Sequence, residues 1–215
     1  MIRVGGQVRD LYVVVGDPRK LVKVLEILSY FGLAVRGLSP EVRCVQGVVV
    51  VDDEGYTYIV KNGVAVDGRL VNIDDHGLDK GLAMAIVYAR VLQVNPIHRI
   101  VVGIDYGKNI GMAVVVNDDV VHIRSYRSAD KALKDAKFFL ENVESEFKIV
   151  RLGIANEIDE EFVDAVVEMF RDVSTIEFVP EFRSSRHRYF LEDARLSPDE
   201  VAAINIAFYR DTEGR

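Results

Sequence analysis

Cysteine is almost absent from this sequence. Cys44 is the only one in 215 residues, so an internal disulfide and a zinc site built from several cysteines are both excluded. Its apolar neighbours Val42 and Val45 predict a place in the core rather than a reactive thiol. Tryptophan is absent and glutamine is scarce, whereas valine, glutamate and arginine are abundant, a composition typical of proteins from thermophiles.

Long apolar segments are also missing. No stretch approaches the roughly 18 consecutive apolar residues of a membrane helix. The first residues include Arg3, Arg9 and Asp10 among glycines, and they lack the apolar centre of a signal peptide. Because 49% of the residues are nevertheless hydrophobic, the chain can bury a substantial core. We therefore expect a soluble, cytoplasmic protein that does not bind a membrane.

Basic residues are outnumbered, and the formal net charge is −7. Residues 1–97 carry 11 basic and 11 acidic side chains, whereas residues 98–215 carry 16 and 23, so the whole acidic excess lies in the second half. An acidic surface repels nucleic acid, because non-specific affinity comes mainly from neutralising phosphates. A function on nucleic acid therefore requires a local basic patch.

The first half predicts a small α/β domain over residues 1–97. A buried strand at 11–15 precedes a helix that Asp17 and Pro18 open and that runs to about residue 30. Strands are predicted at 33–38 and 47–51. Two hairpin arms are predicted within 57–66, around the turn signal Asn62-Gly63. A helix at 78–92 follows, and Asn95-Pro96 marks the predicted boundary. This domain could supply substrate contacts, a homodimer surface or a partner site.

The second half, residues 98–215, predicts the order β-β-β-α-β-α-β-α. The predicted strands and helices cover 99–105, 111–116, 120–126, 128–146, 148–155, 159–170 and 175–179. The last helix begins with Ser197 as N-cap, Pro198 at the first helical position and Glu200 completing a capping box. The predicted fold class of the whole chain is α/β.

An apolar run that ends in one acid opens this second domain. Residues 100–104 are apolar apart from Gly103, and Asp105 follows, with Gly107 two residues later. The glycines allow close backbone approach where the strand meets the next turn. Asp105 is therefore expected at an edge of a sheet, where a metal ion or a phosphate could be bound.

Three segments and the element order resemble the ribonuclease H-like superfamily, in particular its RuvC and YqgF branch of Holliday-junction resolvase-like nucleases. The sequence Gly-Ile-Asp-Tyr-Gly at 103–107 resembles the first-strand motif that supplies the first catalytic aspartate, although Tyr106 stands where the family commonly has a small residue. The segment 179–185 resembles the end of the fifth strand and contributes Glu181. The segment 199–203 resembles the start of the closing helix and contributes Asp199. The resemblance covers about residues 98–210.

What the resemblance implies is a metal-dependent nuclease with Asp105, Glu181 and Asp199 as catalytic metal ligands. Hard divalent cations such as Mg²⁺ or Mn²⁺ choose oxygen ligands, and carboxylates from separate elements can hold one or two such ions. Two ions can activate a water and stabilise the leaving oxygen of a phosphodiester. Glu157 competes with Glu181 as the middle acid, because it follows the fourth strand, where RuvC relatives carry theirs.

The required basic patch lies between two of the proposed ligands. It consists of Arg183, Arg186, His187 and Arg188, and Lys108 in the first turn is a further candidate for phosphate contact. Arginine suits phosphate through its planar fork of donors. The resemblance implies branched DNA or structured RNA as the substrate.

Two other functions remain open. A catalytically inactive ribonuclease H-like module could use the same fold to bind protein or nucleic acid. An actin-like or sugar-kinase-type ATPase could bind phosphate at an aspartate-glycine first hairpin, but residues 1–97 lack a matching hairpin, which that fold normally requires.

Overall fold

The computed structural model describes residues 6–91, 96–154, 159–180 and 196–209. They form two compact units, the first made of the described residues up to 91 and the second of those from 96 onward. Both units combine helices with a β-sheet, which confirms the α/β class. Among the described residues, no helix has the length and apolar character needed to cross a membrane.

The N-terminal unit alternates strands and helices. Its strands are β1 (Leu11–Val14), β2 (Arg36–Gly37), β3 (Cys44–Val51) and β4 (Ala65–Asn72). Its helices are α1 (Pro18–Tyr30), α2 (Asp53–Lys61), α3 (Ile73–His76) and α4 (Leu78–Arg90). The strands pair in the order β2-β1-β3-β4 and all pairings are parallel. The centre of the sheet is apolar because residues 48–51, all valine, are fully buried.

The prediction of hairpin arms within 57–66 is wrong, because residues 53–61 form helix α2. Asp52 caps this helix by accepting a hydrogen bond from the Gly55 amide, and Gly55 and Ile59 share its buried face. Asn62 and Gly63 end the helix instead of turning a hairpin. Gly63 has φ 62°, and the amides of Gly63 and Val64 donate to the carbonyls of Val60 and Ile59. This is the Schellman arrangement that glycine favours at a helix end.

The prediction of a core position for Cys44 is also wrong. Cys44 is exposed at the first position of β3. Side chains alternate between the two faces of a strand, so Val45 points into the core while Cys44 and Gln46 point outward. The apolar neighbours of Cys44 therefore lie on the other face of the strand and do not indicate where the Cys44 side chain points.

Polar side chains close the carboxyl edge of the N-terminal sheet. The buried Asp52 accepts hydrogen bonds from the amides of Gly16, Asp17 and Gly55. Lys20 pairs with Asp74, which also accepts from the Asp53 amide. Burial would raise the pKa of Asp52, but the backbone donors outweigh it and hold the pKa below its usual range. The donors and acceptors of these groups are paired with one another, so internal contacts hold this end of the sheet in place.

The C-terminal unit follows the predicted element order. Its strands are β5 (Arg99–Tyr106), β6 (Ile110–Val116), β7 (Asp119–Tyr126), β8 (Phe147–Ile154) and β9 (Thr175–Pro180). Its helices are α5 (Ala129–Asn142), α6 (Glu160–Phe170) and α7 (Pro198–Ala207). The capping box of α7 is confirmed, since Ser197 and Glu200 exchange both hydrogen bonds. The prediction for this half therefore succeeds at the level of elements.

The five strands form one sheet in the order β7-β6-β5-β8-β9. The β5-β6 and β6-β7 pairs are antiparallel, and the β5-β8 and β8-β9 pairs are parallel. Helix α7 packs on one face, where Ala203 and Ile204 join a core cluster with Val101 and Ala113. Helix α5 packs on the other face, where Phe139 stacks against His122. The central strand β5 therefore ends at an edge that α7 reaches.

Candidate functional site at the end of strand β5

Asp105 lies at the carboxyl end of the central strand, as the sequence predicted. It is partly buried, and in the antiparallel β5-β6 pair it is directly opposite Gly111. Gly111 is in turn opposite Ser125 of β7. Residues directly opposite each other in a sheet share one face. Asp105, Gly111 and Ser125 therefore form a row across three strands on one face of the sheet.

Helix α7 lies against this face at two glycines. A Cβ atom added at Gly103 would overlap the Ala203 carbonyl oxygen, and one added at Gly111 would overlap the Asp199 carbonyl oxygen. Only a residue without a side chain allows a helix to approach a strand so closely. Since Gly111 is directly opposite Asp105, the first turn of α7 rests on the residue that neighbours Asp105 on the adjacent strand.

The Asp199 carboxylate is held by two donors from the strands. Ser125 Oγ donates a hydrogen bond to Asp199 Oδ2 over 3.1 Å, and Asn109 Nδ2 donates to the same oxygen over 3.3 Å. Ser125 belongs to the row on the sheet, and Asn109 lies in the β5-β6 turn. These contacts orient the Asp199 side chain toward the strand ends. Asp199 is partly buried, like Asp105.

The remaining predicted ligands and the whole predicted basic patch lie outside the described residues. This applies to Glu157, Glu181, Arg183, Arg186, His187 and Arg188. Within residues 6–91, 96–154, 159–180 and 196–209, no group of three or more histidine, cysteine, aspartate or glutamate side chains could hold a metal ion. Of the predicted metal ligands, the described residues therefore include Asp105 and Asp199.

Lys108 is exposed in the turn that follows Asp105. Arg127 is also exposed, and it follows the last residue of β7. Because β5 and β7 run in the same direction, their carboxyl ends lie at one edge of the sheet. Two basic side chains, Lys108 and Arg127, are thus exposed at the end of the sheet that carries Asp105.

Tyr106 has its own role on the face opposite Asp105. Its hydroxyl donates a 2.6 Å hydrogen bond to Asp159 Oδ2, and its ring stacks on Phe162 at 4.0 Å between centroids. Asp159 also caps α6 by accepting from the Phe162 amide. The shared hydrogen bond raises the pKa of Tyr106 and lowers the pKa of Asp159. Tyr106 therefore ties the end of β5 to the start of α6.

Sequence reasoning missed Ser125, Asn109 and Arg127. The first two contact Asp199 directly, yet serine and asparagine near turns are common and carry no motif. The usable signal was the strand register, because counting outward from the β5-β6 turn places Gly111 opposite Asp105. No protein-family model matches the chain, and no match was found among curated proteins.

Proposed function

We propose that the C-terminal unit is a Mg²⁺- or Mn²⁺-dependent phosphodiesterase that cleaves structured nucleic acid, either branched DNA or RNA. The observation that carries this proposal is the approach of Asp199 to Asp105 at the end of β5. Gly111 makes that approach possible, since it is the direct partner of Asp105 and the point at which α7 rests. Acids from two separate elements at one strand end are the arrangement that the sequence led us to expect of such a nuclease.

The donor chemistry fits a hard divalent cation. Asp105 and Asp199 offer carboxylate oxygens, and both hydrogen bonds from Ser125 and Asn109 go to Oδ2 of Asp199. The Oδ1 atom of Asp199 is then the oxygen that we assign to the metal. Glu157 or Glu181 would complete the ligand set. When bound, the metal would activate a water and stabilise the leaving oxygen.

The chain's own side chains would position the substrate. Lys108 and Arg127 are exposed at the same sheet edge as Asp105 and would contact phosphates. The segment containing Arg183, Arg186, His187 and Arg188 would add further contacts. Because the unit is acidic overall, this local set of cations must supply the attraction, and binding should weaken steeply with added salt.

The element order of the unit and its capped last helix support the resemblance to the RuvC and YqgF branch. The alternative of an actin-like or sugar-kinase-type ATPase has less support. Such a protein would carry a second antiparallel first hairpin, and the described strands of the N-terminal unit pair only in parallel. The alternative of an inactive binding module is decided by the experiment below.

The test combines metal binding with cleavage. Full-length protein is incubated with a four-way DNA junction and with a hairpin RNA in the presence of Mg²⁺ or Mn²⁺, and the melting temperature is recorded with and without each cation. Asp105→Asn and Asp199→Asn should each lower the cleavage rate by about a hundredfold or more, because each removes a charged ligand. Both should also reduce the rise in melting temperature that the cation gives the wild type.

Asp164→Asn is the matched control, because Asp164 is exposed on α6 of the same unit and the change removes the same charge. It should leave both readouts unchanged. A wild-type protein that is stabilised by neither cation and cleaves neither substrate would overturn the proposal in favour of a binding module. Full activity in both Asp105→Asn and Asp199→Asn would overturn the site assignment.

A further inference from the structure

Strand β4 forms one edge of the N-terminal sheet along its whole length. All eight residues of β4 align with residues of β3, and no described strand pairs with the other side of β4. The opposite edge of this sheet is β2, which has only two residues. A long open strand presents backbone donors and acceptors in the geometry that another strand would need. The β4 edge is therefore the surface of this unit best suited to strand pairing.

The side chains of β4 form a self-complementary pattern around Gly68. Asp67 and Arg69 flank this glycine on one face of the sheet, where Asp67 accepts from Gln46 Nε2 and Arg69 lies over the Tyr88 ring. Val66 and Leu70 flank it on the other face, and Leu70 is 36% exposed despite being apolar. The pattern therefore places opposite charges, and two apolar side chains, at equal distances on either side of one residue.

We propose that two copies of this chain associate through β4, antiparallel to each other, about a two-fold axis at Gly68. In this arrangement Asp67 is opposite Arg69 of the partner subunit, and Arg69 is opposite Asp67 of the partner subunit. On the other face, Val66 is opposite Leu70 of the partner subunit. An interface of this kind uses the same patch on both copies, and a two-fold axis repeats each favourable pair. The two four-stranded sheets then join into one sheet of eight strands.

Charge complementarity is what distinguishes a second copy from other occupants. Charged residues on an edge strand also serve to prevent association, but prevention requires like charges, or a charge without a counterpart, at the pairing positions. Here the two-fold axis places an acid opposite a base twice. Opposite charges directly across an antiparallel pair are stabilising, and like charges there are destabilising. The pairing does not depend on the nuclease proposed for the other unit.

A charge-swap experiment tests this interface in the full chain by sedimentation velocity. The wild type should show a monomer-dimer equilibrium. Asp67→Arg and Arg69→Asp each place like charges opposite each other twice, so each should raise the dimer dissociation constant by roughly tenfold or more. The double variant D67R/R69D restores opposite charges at both positions, and its dissociation constant should return close to that of the wild type.

The double variant also distinguishes loss of the charge pairs from general damage to the fold. It contains both single changes and loses the Gln46 and Tyr88 contacts that each change removes, so general damage to the fold would make it the weakest dimer of the set. Asp130→Arg, on the exposed surface of α5, is the control for net charge and should leave the equilibrium unchanged. A wild type that stays monomeric at roughly 500 µM, where a dimer with a micromolar dissociation constant would be almost fully associated, would overturn the proposal. An equal dissociation constant in all four β4 proteins would overturn it as well.

Discussion

Asp52 shows how one buried carboxylate can fix the end of a parallel sheet. It is 1% exposed and accepts from three backbone amides, those of Gly16, Asp17 and Gly55, over 2.8–3.0 Å. An ionised acceptor makes stronger hydrogen bonds to backbone donors than a neutral one. In this position the carboxylate serves both the loop after β1 and the N-terminus of α2. Its role is therefore to join two elements.

Replacing Asp52 by asparagine should destabilise the N-terminal unit. The amide keeps one acceptor oxygen but turns an NH₂ group toward a backbone N–H, which leaves buried donors without a partner. We expect a loss of roughly 2–4 kcal/mol in the free energy of unfolding, measured by urea denaturation. Asp79→Asn, an exposed change in α4, is the control and should stay within about 0.5 kcal/mol of the wild type. An Asp52→Asn value inside that same range would contradict this role.

Helix α7 contributes to the candidate site because its first turn packs directly on the backbone of Gly111, which has no side chain. A methyl group at position 111 would overlap the Asp199 carbonyl oxygen, and neither strand nor helix backbone can yield cheaply at that point. Gly111→Ala should therefore cost about 1–3 kcal/mol of unfolding free energy in the C-terminal unit. It should also weaken the cation binding that we propose for this site, because the first turn of α7 has to move away from Gly111.

The control for this change is Gly107→Ala in the neighbouring turn. A Cβ atom there would make only an ordinary contact, 3.6 Å from the Asn109 carbonyl oxygen. Urea denaturation of both variants separates the effect of the methyl group from that of losing a glycine. Equal stability of Gly111→Ala and Gly107→Ala would show that α7 does not depend on the close contact at Gly111.

The elements of the C-terminal unit were predictable because each has a strong local signal. Its first three strands are apolar runs separated by short turns, and Ser197, Pro198 and Glu200 mark the start of α7. In the N-terminal unit, α2 was missed because Tyr56, Tyr58 and Val60 favour strands and Asn-Gly favours hairpins. The cap at Asp52 and the buried pair Gly55 and Ile59 override those preferences. Local propensity fails where a helix is fixed by its caps and its buried face.

The candidate site was predictable only in part, because it depends on register. Between β6 and β7 the register shifts by one residue at Val114 and Val115. Without that shift, Gly111 would be opposite Arg124, and a basic side chain would stand where Ser125 holds Asp199. A β-bulge is set by the packing of the whole sheet and has no reliable signature in one sequence. Motifs in the sequence therefore suggested the candidate acids, whereas the hydrogen-bond partners of Asp199 depend on a register that the sequence does not reveal.

At the scale of the whole molecule, the two units respond to pH through different pairs. In the N-terminal unit, the hydrogen bond between Lys20 and Asp74 raises the pKa of Lys20 and lowers the pKa of Asp74. In the C-terminal unit, Tyr106 and Asp159 form the corresponding pair. Each pair stabilises its unit only while the acid is ionised and the donor is protonated. The free energy of unfolding should therefore be highest over a middle range of pH, and it should fall both at acid pH, where the carboxylates become protonated, and at alkaline pH, where the donors lose their protons.

Tyr106→Phe isolates the contribution of the C-terminal pair. The folded protein lowers the pKa of Asp159, so this stabilisation is present above the unfolded value of about 4 and is lost as the pH falls through the folded pKa. It raises the pKa of Tyr106, so the same stabilisation is complete below about 10 and is lost as the pH rises through the folded pKa. Phenylalanine keeps the stacking on Phe162 but removes the hydroxyl. Melting curves from pH 3 to 11 should therefore show the largest difference between wild type and variant over this middle range of pH, and this difference should narrow toward both ends. A difference that is constant across the whole range would mean that Tyr106 acts through packing alone.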